Sequence, residues 1–184
     1  RMLALLEAGV PGDELLLLVP QRTLAEPYYT AIHAPESPSG GIVTVLTVGG
    51  LAQRMVDLFW PVIAEKAGFE FPDELPSFLT LETSQYYMAH LVQPLLDEEG
   101  LFDSVTIDRN RLYSQIIDNL NKAAVMGFAH TEIAERLKRA WVGEPGQLRV
   151  YDDVQTCVDK FRQFCLGHNL LDFSLQLEIF WKYL

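Results

Sequence analysis

Cysteine, histidine and basic residues are all scarce in this sequence, and each scarcity removes a class of function. Two cysteines, Cys157 and Cys165, are too few for a disulfide framework. They lie in a helical pattern at a spacing that puts them on one face but about 12 Å apart along the axis, too far to bridge. No CxxC pair occurs and the four histidines are scattered, which argues against a zinc site and makes buried structural thiols the expectation. Lysine and arginine number 14 against 25 aspartates and glutamates, a net charge of −11. A module that grips nucleic acid unaided usually carries a basic patch, so strong autonomous DNA binding is not expected. No apolar run approaches the length of a bilayer span, so no membrane partner is expected. The opening RMLALLEAGVPGDE lacks the apolar core and small-residue cleavage site of a secretory leader, and the expected location is cytoplasmic. Internal repeats and low-complexity tracts are missing too.

What the chain does have is a composition with a core: 49% hydrophobic and 21% charged residues exclude a disordered tail. Residues 1–9 read as a helix closed by Gly9. Glu14–Val19 is a short continuous apolar run, the pattern of a strand covered on both faces, as in a parallel sheet. It stops at Pro20, and Thr23–Ile32 reads as a helix with Pro27 tolerated near its first turn. His33–Gly41 is a polar loop. Ile42–Val48 is rich in β-branched residues and reads as a second strand, broken by Gly49-Gly50. A helix follows over about Leu51–Lys66, with Leu51, Met55, Leu58, Phe59 and Val62 at helical spacing. Strand, helix, strand, helix is the signature of an α/β unit.

Beyond the spacer Gly68–Ser77 the pattern is helical. Leu81–Glu99 is a helix with Tyr86, Tyr87, His90, Leu91 and Leu95 in register. The next is capped by Asp108 and carries Leu112, Ile116, Ile117, Leu120 and Ala124 on one stripe; another, TEIAERLKRAW, is capped by Thr131. Val142–Gln147 is a turn. Leu148–Leu166 carries Val150, Val154, Val158, Phe161 and Cys165 in register, and Leu171–Leu184 is one more helix. Two parallel strands do not make a covered sheet alone, and EIFWKYL ends without a cap, so the expectation is a piece of a larger protein.

Three stretches then line up in order. RMLALLEAGVPGDELLLLVPQRTLAEPYYTAI resembles the segment after the phosphate-binding loop of UvrD/Rep-type superfamily 1 DNA helicases. IVTVLTVGGLAQRMVDLF resembles their next motif, which usually reads like VSTFHSLALRLLR. LGHNLLDFSLQLEIFWKYL resembles the LLDFDDLL segment leading back to the ATPase core. The resemblance spans nearly the whole chain. It implies an α/β fold: a partial RecA-like parallel sheet over residues 1–70, an inserted all-helical subdomain over 71–170, and a helix over 171–184 returning to the α/β core.

The resemblance also implies a site. In the family, the loop after the first strand touches the backbone of single-stranded DNA, and the matching candidates here are Gln21, Arg22, Thr23 and, in the second motif, Thr47. Arg22 and Thr23 could equally solvate a loop and cap a helix, and Thr47 could be a strand residue alone. Val48-Gly49-Gly50 replaces the family's Phe-His-Ser, removing an aromatic and a histidine, and Ser174 stands where an acid follows Asp172-Phe173. These departures resemble helicase-like subunits of DNA-repair nuclease complexes. Tyr28, Tyr29, Tyr86 and Tyr87 read as packing residues before base-stacking ones. Arg109, Arg111, Lys122, Arg136, Lys138 and Arg139 read as a solvated face, with DNA guidance the alternative. No GxxxxGK[ST] loop and no DExx-type acidic strand occur, so ATP and Mg belong to the parent protein and this chain should bind neither. The functional expectation is a helicase piece that contributes single-stranded DNA contacts in repair or recombination. The alternative is a non-catalytic helicase-like scaffold subunit, with other repair-complex subunits as partners.

Overall fold

The computed structural model describes residues 1–38, 40–143 and 148–184. It divides into two compact units, Arg1–Arg54 and Met55–Leu184. The dividing point lies inside a helix, Val48–Ala67.

In the first unit a short helix, α1 (Met2–Glu7), ends at Gly9, whose φ of 85° suits a residue without a Cβ. Strand β1 (Leu16–Val19) follows a 3-10 turn at Gly12–Glu14, so the strand is shorter than the apolar run suggests. A 3-10 turn, Arg22–Ala25, leads into α2 (Glu26–Ile32), with Pro27 in its first turn, where a missing N–H costs nothing. Strand β2 (Thr44–Thr47) then pairs with β1 in parallel, Leu16 opposite Thr44 and Val19 opposite Thr47. The α/β expectation therefore holds for a small parallel pair with α2 as its crossover. One expectation about it fails. Leu16 and Leu18 are exposed and only Val19 of β1 is buried, so β1 is not covered on both faces.

Helix α3 (Val48–Ala67) begins directly at the end of β2. Gly49 and Gly50 lie in its first turn rather than breaking the chain before it. Its apolar stripe is also not the expected one. Leu58 and Val62 are 68% and 58% exposed, and Val56, Trp60, Ile63 and Ala64 are the buried positions.

The second unit is helical. It holds α4 (Leu81–Glu98), α5 (Arg109–Met126), α6 (Ile133–Ala140), α7 (Arg149–Gly167) and α8 (Phe173–Tyr183). Thr80 and Thr83 form a reciprocal capping box on α4, and Asp108 accepts the Arg111 N–H to cap α5 as expected. Thr131 does not cap α6. It lies within a 3-10 turn, His130–Glu132, that precedes the helix. The expected turn over Val142–Gln147 falls mostly outside the described residues. The stripes of α5 and α7 pack as the spacing predicts: Leu112, Ile116, Ile117 and Leu120 meet Val154, Val158, Phe161 and Cys165 in one core with Met88 and Val92 of α4 and Leu175 and Ile179 of α8. Removing a side chain as large as Phe161 from such a core costs about 3–5 kcal/mol.

A second parallel pair closes this unit: β3 (Ser77–Phe78) runs beside β4 (Leu170–Leu171). The chain leaves for the helices and comes back at the same place. Asn169, in the left-handed region at φ 50°, fixes that return by donating to the Phe71 and Glu74 carbonyls at 2.5 and 3.1 Å. The Trp60 indole donates to the same Glu74 carbonyl at 2.7 Å.

Candidate nucleic-acid interface

Because β1 and β2 run parallel, their carboxyl ends lie side by side, and so do the segments that leave them. Val19 stands opposite Thr47. The polar run Pro20–Thr23 and the start of α3 therefore meet at one edge. In open parallel sheets this is the edge where ligands bind. Gln21, Arg22 and Thr23 are exposed there. Arg22 has no ion pair among the described residues, although Glu26 follows one turn on.

Thr47 does more than end a strand. Its Oγ1 accepts the Gly50 N–H at 3.0 Å, the bond of a residue capping α3. The hydroxyl proton stays free to donate. The N–H groups of Val48 and Gly49 have no acceptor one turn back within the helix, so this end of α3 favours an anion. All four sequence-derived candidates thus converge on one edge of the first unit. What the edge lacks is equally plain: Val48-Gly49-Gly50 offers no ring on which a base could stack. Gly49-Gly50 is a capped strand-to-helix junction with Leu51 and Ala52 after it, not a loop ending in lysine. Among the described residues no three His, Cys, Asp or Glu side chains converge as metal ligands.

The alternative basic face of the helical unit is largely neutralised by its own acids. Arg109 pairs with Asp97 at 2.6 Å, Lys122 with Asp118 at 2.6 Å and Arg136 with Glu132 at 2.8 Å. Lys138 pairs with Asp152 and Arg139 with Glu135. Only Arg111 of the six lacks an ion pair among the described residues. A cavity of about 860 Å³ in the first unit is lined by Leu6, Tyr29, His33 and Gly40 through Val43, residues that precede β2, and so does not belong to the carboxyl edge.

One charged cluster is not visible in the sequence. Arg162 on α7 is 3% exposed and donates to Asp172 Oδ1 and Ser174 Oγ, both at 2.9 Å, and lies 3.4 Å from Glu178. Asp172 also accepts the N–H groups of Ser174 and Leu175, which makes it the cap of α8. Glu178 in turn bonds His130 at 2.9 Å. Burial alone would raise the Glu178 carboxyl, but the His130 hydrogen bond and the Arg162 charge outweigh it and hold the group below its ordinary value. Asp172, which the resemblance matches to a motif, and Ser174, which departs from that motif, are both buried in this hydrogen-bonded cluster. The two cysteines are buried free thiols as expected, and burial pushes Cys157 up to about 12 and Cys165 upward as well.

No family model matches the chain, and neither curated proteins nor solved structures give a match. Among the described residues no helix is long and apolar enough to cross a membrane.

Proposed function

We propose that this chain is part of a UvrD/Rep-type DNA helicase acting in DNA repair or recombination, and that the carboxyl edge of its β1–β2 pair contacts the phosphate backbone of single-stranded DNA. The observation that carries the reading is the parallel register. An antiparallel hairpin would have sent Arg22 and Thr47 to opposite ends of the pair, whereas the register Val19 opposite Thr47 brings them together. The closure of the helical excursion by β3 and β4 supports an inserted subdomain within a RecA-like frame. In this reading ATP and Mg²⁺ belong to the larger protein, and the location is cytoplasmic.

A second reading has an observation of its own. The Gly49-Gly50 junction removes the family's aromatic and histidine, and the helical unit's cations are mostly ion-paired. Both features favour a helicase-like scaffold subunit of a repair complex, contacting DNA without driving it.

Either reading makes the contact a backbone contact of low charge. Each neutralised phosphate of a single strand contributes a slope of about −0.7 in log K against log salt, so one or two arginines give weak binding with a shallow salt dependence. Titrating a fluorescent oligo-dT into the protein at several salt concentrations tests this. Weak binding at low salt, reduced and flattened by Arg22→Ala, is expected. Tight binding unchanged by Arg22→Ala would remove the edge from the DNA path.

A further inference from the structure

The first unit contains only three cations, Arg1, Arg22 and Arg54, against five acids, Glu7, Asp13, Glu14, Glu26 and Glu36. Their distribution is uneven. Asp13 and Glu14 sit in the turn that precedes β1, at the amino end of the strand pair, and Glu7 ends α1 before it. Arg22 sits in the turn that leaves β1, at the carboxyl end. Arg54 is on α3, the helix that leaves β2 from that same end, and it is exposed without an ion pair among the described residues.

Its helical position is the informative part. Thr47, Gly50 and Arg54 fall at i, i+3 and i+7, so they lie on one face of α3. Arg54 therefore stands about 10 Å along the helix from Thr47, on the stripe that begins at the candidate edge. Gly50 lies between them and has no side chain to obstruct a strand running along that stripe. The separation is partial: Arg1 lies at the amino side, Glu26 follows Arg22 by one turn, and exposed Asp57 closes the stripe three residues beyond Arg54, so the basic part of this face runs from Arg22 to Arg54 and no further.

We infer that Arg54 is a second phosphate contact, extending the single-stranded DNA track from Arg22 across the capped start of α3 and along this face. The inference rests on the DNA-contact reading of the edge. It deepens that reading by giving the track a direction and a second cation. Among the described residues neither arginine lies over an aromatic ring that could stack a base, so the ligand class is the sugar–phosphate backbone irrespective of sequence.

The test is anisotropy of a fluorescent oligo-dT against the full chain at about 20–150 mM salt, over which the Debye length falls from about 21 Å to about 8 Å. Wild type is compared with Arg22→Ala, Arg54→Ala and Arg54→Lys. Arg111→Ala serves as a control for simple net charge, because Arg111 is exposed and lacks an ion pair on α5. Arg54→Ala should weaken low-salt binding several-fold and lower the log–log slope by about 0.7, as Arg22→Ala does, while Arg54→Lys keeps the slope. A loss with Arg22→Ala but none with Arg54→Ala would overturn the inference and leave the edge reading standing. An equal loss with Arg111→Ala would overturn it too, because position would then not matter. No binding by wild type at the lowest salt would overturn the edge reading and the inference together.

Discussion

At the residue scale, Asp172 shows a motif position serving the fold through Arg162. Asp172 matched a motif position, yet it caps α8 and neutralises a guanidinium sealed inside the helical core. Breaking a buried pair strands the partner's charge, which costs about 3–5 kcal/mol, more than the pair contributes over a well-packed apolar substitute. Asp172→Ala should therefore lower unfolding stability by that amount in urea titration, and a loss under 1 kcal/mol would contradict the geometry. Glu178 carries a pH signature. Its folded-state carboxyl is held below the ordinary 4.5, so its stabilisation is present above that value and is lost as pH falls through the folded one. Glu178→Gln should flatten the decline in stability seen on acidification below about pH 4.5. An unchanged acid limb would show that the carboxylate is not coupled to folding. None of this cluster could be read from the chain, because a lone arginine on a helix ordinarily points to solvent and its partners Asp172, Ser174 and Glu178 lie beyond the helix end.

At the scale of elements, the sequence was legible where one local signal dominated. The β-branched run of β2, the Asp108 cap and the 3.6-residue stripes of α5 and α7 each have one physical solution, and the structure adopts it. Helix α3 has two. It is apolar on more than one face, so Leu51, Met55, Leu58, Phe59 and Val62 fit helical spacing as well as Val56, Trp60, Ile63 and Ala64 do. Packing chose the second set, where Trp60 reaches the Glu74 carbonyl and stacks edge-on against Phe69. The β3–β4 pair is two residues long and joins positions far apart in sequence, so no local periodicity announces it. The start of α3 was misread because a glycine pair after a strand usually ends structure, whereas here the Thr47 side chain caps a helix across it. Thr47→Ala should cost about 1 kcal/mol of stability and Thr47→Ser should restore it, measured by thermal or urea unfolding. Equal stability of all three would mean that the cap contributes nothing.

For the whole molecule, charge and topology pull against each other. A net charge of −11 opposes any polyanion, while the parallel pair places Arg22, which has no ion pair among the described residues, and a helix start at one edge. The four candidate residues were legible because a parallel crossover obliges both strand ends to face the same way. Arg54 was not, because its relation to Thr47 depends on α3 starting at Val48. Without a lysine-bearing phosphate loop, purified residues 1–184 should show no DNA-stimulated ATP hydrolysis, and turnover that co-purifies with the chain would contradict that assignment. The most direct test of the edge itself is photo-crosslinking of a 4-thiothymidine oligonucleotide to the protein at low salt, followed by peptide mapping. The account predicts adducts within residues 20–23 and 47–54. Adducts confined to α5 and α6, with none at the β1–β2 edge, would contradict it.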